Sequence, residues 1–525
     1  MKLLNNTFLY PSIQFHSREI TQDERSTKSS DSIMLTTSIQ QISLRSVDKC
    51  IEGSIYTKTL GLIVAILFLS PLLPLHASAQ IQEQPLELIQ KIHVEHSSIE
   101  IVPHEFKNSF YRFTFKMEVE NNEIDLRNLN HTIITIPFIL SSLPFIWGSE
   151  KTFIIDEIDQ DLYTSIERLN IIFKLFYPTH SWSGKLLAKK TIKNNPPHQT
   201  TPAVLFSHGL DSVSASFERI EEPQTLITVC GNDIDLGDST TWEKVKKECI
   251  EYATLFNKKN IFIRSNCRFF CHTKKLSEWC RQIYNPWSSA LSSFGLAGLA
   301  APLAAIMGHS TILMGSTRTS DFPHPLGSHP LLDNNISFCG ITVHHAQPEY
   351  DRVKKIKVIA QQVQRQKSTY PFLRVCFTDQ KKSKGNNCGS CSRCLRTIME
   401  IIAANERPEH FGFNNDVLTS LEPFYALFKG PKLSGGEIWH WMCVQKHIKE
   451  LLSQPACIYK NNTELTAFLE WLIAADLSLR SKNNLNGLKG QHSFFYDLWQ
   501  IGKCGITPVE TLLEWEKKIP RSRRK

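Results

Sequence analysis

The 525-residue chain has no glycine-rich loop closing on lysine, so the Walker mode of holding phosphates is excluded. It has no internal repeat, which excludes solenoid and propeller architectures. It lacks a strong excess of either charge: the net +8 is spread along the chain, and residues 520–525 supply four of the positive charges. That balance favours phosphate-bearing ligands or RNA only weakly. An uninterrupted membrane span is also missing, because crossing a bilayer takes about 20 apolar residues. The most apolar run, LGLIVAILFLSPLLPL at 60–75, is cut by Pro71 and Pro74. Finally, the 14 cysteines are not scattered as disulfide partners would be; Cys388, Cys391 and Cys394 fall within seven residues, which is metal spacing. Such thiols persist best in a reducing compartment, so the composition points to the cytosol.

The first 80 residues pull the other way. Residues 1–58 are rich in Ser, Thr, Asn and Gln with no sustained period, and read as a disordered extension. Residues 59–80 read as a hydrophobic signal-like or anchor segment, with Lys58 before the run and Ala77-Ser78-Ala79 after it. A membrane anchor through 59–76, an upstream extension with a mis-set start, and a working signal or buried helix are all compatible with that pattern. The clustered thiols weigh against export, so the folded region that carries them is expected in the cytoplasm.

What the chain does contain is a sizeable apolar fraction, 41%, enough for a large core. At about 150 residues per domain, the length suggests two to four domains. Residues 84–195 alternate apolar and polar side chains and predict a β-rich α+β domain, with a helix over 158–176. The polar, proline-bearing stretch 191–202 predicts a domain boundary. From Ala203, short apolar strands alternate with helices: strands at 203–206, 225–230, 260–264 and 311–314, helices at 241–257 and 288–307. This predicts an α/β domain over 200–400, a Rossmann-like parallel sheet with helices on both faces. Residues 405–525 predict a helical C-terminal domain. Ligands of such sheets bind at the carboxyl ends of the strands; Ser207, Asp233 and Gly315 all stand at such ends.

Ser207-His208-Gly209-Leu210-Asp211-Ser212 joins the first of these strands to a helix. A turn of this kind aims backbone N–H groups and the helix dipole at an anion, and Ser207 and Ser212 add hydroxyl donors. Asp211 would repel phosphates unless it held Mg²⁺ or a turn amide. The segment resembles the SGGxDS signature of the PP-loop ATP pyrophosphatases (PP-loop/HUP type), with His208 where that family has its first Gly. The resemblance implies cleavage of ATP between its α and β phosphates, adenylation of a substrate oxygen, and a nucleotide site comprising Ser207, His208, Gly209, Leu210, Asp211, Ser212, Asp233, Gly315 and Asp321. Ser207, Asp211 and Ser212 would serve the chemistry.

Cys388-Gly-Ser-Cys391-Ser-Arg-Cys394 with Cys376 offers four thiolates for one tetrahedral Zn²⁺, an iron–sulfur cluster being the alternative. Lys381, Lys382, Lys384, Arg393 and Arg396 would offset its charge. The cysteine, polar loop and CGSCSRCLRT together resemble the zinc site of 7-cyano-7-deazaguanine synthases, over roughly residues 203–400. That implies a carbon–nitrogen ligase acting on a small-molecule carboxylate or amide, with ammonia or another amine as the donor, as in queuosine-type biosynthesis. Two other readings stay open: a tRNA thiolase-like sulfur transferase, and a non-catalytic nucleotide-binding module. The family's aspartate-cysteine-arginine substrate run is not recognisable; 327–333 stands there instead. Arg318, Asp321, His324, His329, Asp333, His344, His345, Glu349 and Arg352 are the reactive residue types between the fourth strand and the cysteines. Cys267, Cys271 and His272 read as half-buried, and Trp279, Trp287, Trp439 and Trp441 as core or interface anchors.

Overall fold

The run Ala203-Val204-Leu205-Phe206 divides between two cores: Ala203 and Leu205 enter one, Val204 and Phe206 the other. The next strands repeat the division, with Ile227, Ile261, Ile263, Ile312 and Met314 on the first side and Leu226, Phe262 and Leu313 on the second. A strand apolar on both faces needs cover on both. The computed structural model describes residues 84–519 except 107–108, 122, 196–198, 323, 377–386, 415 and 481–488. The expected extension 1–58, the hydrophobic segment 59–80 and the basic tail lie outside the described residues.

Twelve strands are described: β1 (Leu86–Glu87), β2 (Ile89–Val94), β3 (Ser98–Pro103), β4 (Phe115–Val119), β5 (Thr152–Asp159), β6 (Lys185–Ile192), β7 (Gln199–Leu205), β8 (Thr225–Cys230), β9 (Lys259–Ser265), β10 (His309–Gly315), β11 (Ser337–Phe338) and β12 (Ile341–Ala346). Nine form one mixed sheet in the order β11-β12-β10-β7-β8-β9-β4-β3-β2. Its centre, β12-β10-β7-β8-β9, is parallel throughout. The strand order reverses between β7 and β10, the switch point at which such sheets open a crevice for ligands. The expected parallel sheet is therefore present, inside a larger mixed one.

Helices Ile136–Gly148 and Ser292–Met307 bury their side chains in the first core; Leu210–Glu218, Ser239–Leu255, Arg352–Gln366 and Ser392–Ala403 bury theirs in the second. Trp287–Met307 is the one described helix long and apolar enough to cross a membrane, and it is largely buried in this core.

Two expected boundaries differ. The 84–195 segment does not close its own sheet: β4 pairs antiparallel with β9, Met117 opposite Ser265, so β2, β3 and β4 extend the central sheet. Only β1, β5 and β6 form a separate three-stranded sheet. Alternation in β2–β4 reports half-buried strands but not their partner. The 405–525 region is helical, as expected, yet has no separate core: Trp441 and Phe468 join the second core, Phe495, Leu498 and Leu512 the first. The helix predicted over 158–176 spans Gln160–Phe176, capped by Asp159, whose side chain accepts from the Leu162 N–H at 2.9 Å.

Candidate anion site and metal centre

The segment after β7 turns sharply at His208, whose φ of 61° is left-handed. That turn drives the imidazole out of the loop and into the second core, where it is 2% exposed and packs against Phe206, Tyr252 and Phe372. Neither ring nitrogen has a hydrogen-bond partner among the described residues. Burial, reinforced by the Arg374 charge, pushes the imidazole down to about 3, so it is neutral. His208 thus contributes backbone to the loop, and its ring leaves the mouth open. The protonated form exists only in the unfolded chain, so stability is complete above pH 6.5 and falls as pH drops from 6.5 toward 3. His208→Phe keeps an aromatic plug and should remove about 2 kcal/mol of stability loss between pH 6.5 and 5, read by urea unfolding. An unchanged slope would place the ring elsewhere.

The loop closes on its own hydroxyls. Ser212 Oγ accepts from the Ser207 N–H at 3.2 Å, lies 3.3 Å from Ser207 Oγ, and donates to the Gly209 carbonyl at 3.0 Å. Gly209 caps the Leu210–Glu218 helix, whose first turn is thereby set at the switch point. Gly315, ending β10, must be glycine: a Cβ there would lie 2.5 Å from the Asp211 carbonyl oxygen. Its role is this close approach.

Asp211 does not stand free to hold Mg²⁺. Its carboxylate meets Lys355 Nζ at 2.9 Å and Arg352 Nη1 at 3.0 Å. Burial would raise its pKa, but these two cations outweigh that and hold it below the ordinary range. Arg352 also donates to Glu400 at 2.9 Å and to Thr397 at 3.2 Å, and Lys355 also donates to the Ser316 carbonyl. Arg396 bonds Glu437 at 2.6 Å and stands 3.4 Å from Glu400. Arg318, Arg352, Lys355 and Arg396 thus converge beside three carboxylates, those of Asp211, Glu400 and Glu437. Asp351 also acts on Lys355, and buried charges of this kind are costly unless each is paired. Asp233 and Asp321, at the same ends of the strands, are exposed.

The four cysteines come together as expected. Their sulfurs all lie within 4.8 Å of one another, with Cys376 to Cys391 at 3.9 Å and Cys388 to Cys394 at 3.8 Å. Zn–S bonds near 2.3 Å in a tetrahedron require sulfur edges of about 3.8 Å. A cluster would hold its cysteines around several irons and so farther apart. The Cys391 and Cys394 N–H groups donate to Cys388 and Cys391 sulfurs at 3.3 and 3.5 Å, which stabilises thiolates. Gly389, at φ 71°, makes the turn. The set therefore fits a single ion such as zinc.

This centre is tied to the loop along two routes. Arg374, two residues before Cys376, donates its N–H to the His208 carbonyl at 2.8 Å and its guanidinium to the Ser207 carbonyl at 3.0 Å. Cys391 caps the Ser392–Ala403 helix, which carries Arg396, Thr397 and Glu400. Lys355, Arg374, Glu400, Glu437 and His440 were not singled out in the sequence. A signal existed: Arg352 and Lys355 fall on the stripe of Ile356, Ile359 and Val363, and Glu400 interrupts the apolar face of its helix.

Other reactive residues lie elsewhere. Asp333, fully buried, accepts from Ser328 at 2.7 Å and lies 2.6 Å from His345 Nδ1, a network inside the first core. His329 is buried against Trp499, His344 meets Glu218 at 3.3 Å at the surface, and Glu349 pairs with Lys503. Cys267 and Cys271 are core residues, as are Trp439 and Trp441. A cavity of about 500 Å³ opens at the amino ends of β7, β8, β9 and β10, opposite the loop.

No protein-family model, curated protein or solved structure matches the chain. The functional reading therefore stands on this geometry.

Proposed function

We propose that the chain is an ATP-dependent enzyme of the PP-loop type that forms AMP and pyrophosphate while adenylating a substrate oxygen. The observation that carries the reading is the position of the 207–212 loop: at the switch point, on a helix start, with Asp211 joined to a cluster of buried arginine, lysine and carboxylate groups. Backbone N–H groups of the loop and the Ser207 and Ser212 hydroxyls would hold the departing pyrophosphate. Catalysis of this kind is positioning and charge stabilisation. Arg352 and Lys355 fix Asp211 and the helix start; Asp233, exposed after β8, would be the carboxylate to meet an accompanying Mg²⁺. The metal knuckle braces both the loop and the cationic helix.

Carbon–nitrogen bond formation on a carboxylate, as in 7-cyano-7-deazaguanine synthases, is the finer form of this proposal. A sulfur-transfer route needs an exposed cysteine at the loop, and the exposed cysteine among the described residues, Cys504, follows the Lys489–Lys503 helix instead. Incubation with α-labelled ATP and an extract of small carboxylates should yield labelled AMP, with turnover reduced at least a hundredfold in Ser207→Ala/Ser212→Ala. AMP formation that persists in that variant would remove the loop from the site. Binding of ATP with no AMP in any extract would favour a nucleotide-binding module.

A further inference from the structure

Among the converging cations, Arg318 is the one with no carboxylate partner among the described residues. It stands three residues beyond Gly315, at the carboxyl end of β10. Its guanidinium lies 4.8 Å from the Phe322 ring and 5.2 Å from the Trp439 ring, so two aromatic faces hold it rigidly. Its Nη1 meets Nε2 of His440, and its Nε is enclosed without an acceptor. Burial, then the Arg318 charge, holds His440 neutral, so it accepts from the guanidinium and adds no opposing charge. Burial and the neighbouring Arg396 bring Arg318 down to about 10, which leaves it charged at neutral pH.

Asp211 and Glu437 favour that charge from a distance, and Arg396 and Arg352 oppose it. The Gly435–Leu452 helix begins here, and its 18 residues present the positive end of their dipole. Arg318 Nη2 packs directly on the first turn, where a Cβ on Gly436 would come within 2.6 Å of it. Arg396 reaches the same turn through Glu437. A guanidinium pressed on a helix start beside another guanidinium is an arrangement that an oxyanion would relieve. We propose that Arg318 and the first turn of the Gly435–Leu452 helix form a second oxyanion subsite, which takes a phosphate or carboxylate group. The subsite rests on Arg318 and not on the 207–212 loop. The group can come from the phosphate chain of a nucleotide held by the loop or from a separate molecule.

Calorimetric titration of the full chain with inorganic phosphate and with a non-hydrolysable ATP analogue tests this. Phosphate should bind the wild type and the Ser207→Ala/Ser212→Ala variant alike, and at least tenfold more weakly to Arg318→Gln. Without ligand, Arg318→Gln should melt no lower than the wild type, because it removes an unpaired charge; a purely structural arginine would lower the melting temperature. Phosphate bound beside saturating analogue assigns the subsite to a second molecule, and competition assigns it to the nucleotide's own phosphates. No phosphate binding by the wild type, or unchanged affinity in Arg318→Gln, overturns the proposal. If Arg318→Gln does not fold, Gly436→Ala displaces the guanidinium without removing it and must weaken phosphate binding to the same sense. Phosphate binding through Arg318 with no analogue binding at all would leave the subsite standing and remove the nucleotide reading.

Discussion

Cys391→Ser is expected to empty the metal centre and to loosen the 207–212 loop through the two routes described. Metal content should fall from about one ion per chain to near zero, since a tetrahedral site closed by four thiolates does not survive on three. Structural zinc sites contribute about 10 kcal/mol or more of apparent binding energy, so the melting temperature should drop sharply, and a chelator should reproduce the drop in the wild type. The serine hydroxyl can still cap the Ser392–Ala403 helix, which separates loss of metal from loss of the cap. Hydrogen exchange should then quicken at 206–212, because Arg374 N–H and guanidinium no longer hold the His208 and Ser207 carbonyls, and at 392–403. Faster exchange confined to the knuckle, with the loop still protected, would show that the centre does not organise the anion site.

Asp211→Asn is expected to cost about 3 kcal/mol, because it leaves Lys355 buried without its carboxylate and Arg352 with Glu400 alone. Chemical unfolding measures the cost. Lys355→Met added to Asp211→Asn should recover part of it by restoring the charge balance, a non-additivity that a double-mutant cycle reads directly. Under the proposed function the same single variant should also weaken binding of an ATP analogue, since Asp211 lies in the first turn of the helix proposed to face the phosphates. An Asp211→Asn protein as stable as the wild type would mean that the two cations are balanced by other groups. The two variants probe different halves of one construction: the cysteine centre is tied to the loop through Arg374, and the Asp211–Arg352–Glu400–Arg396 chain of charges through Asp211.

The elements legible in the sequence were those whose signal is local. The strand 225–230 was read to the residue, because a continuous apolar run bounded by polar turns needs no tertiary information. The four cysteines were legible because two-residue gaps fold around one ion whatever surrounds them. The placing of β4 beside β9 was not, since an alternating strand fits any exposed sheet edge and only the neighbouring chain selects one. His208 shows the intermediate case. Its departure from the family's glycine was visible, but its consequence depended on whether a left-handed turn would carry the ring into the core or into the loop's mouth, and Phe206, Tyr252 and Phe372 supplied the pocket that received it.

The loop that begins at Ser207 was thus identifiable from sequence as a turn between a strand and a helix, and the cysteine set as a metal site, because backbone geometry and ligand spacing act over a few residues. The tertiary structure decided the rest. It set the loop at the β7–β10 reversal, paired Asp211 with Arg352 and Lys355 where the sequence left Mg²⁺ or a turn amide open, and brought Arg318 against the Gly435–Leu452 helix. Those residues lie 100 or more positions from one another in several cases, and a charge's partner is fixed by Coulomb energy in the packed interior, which no local pattern of residues encodes.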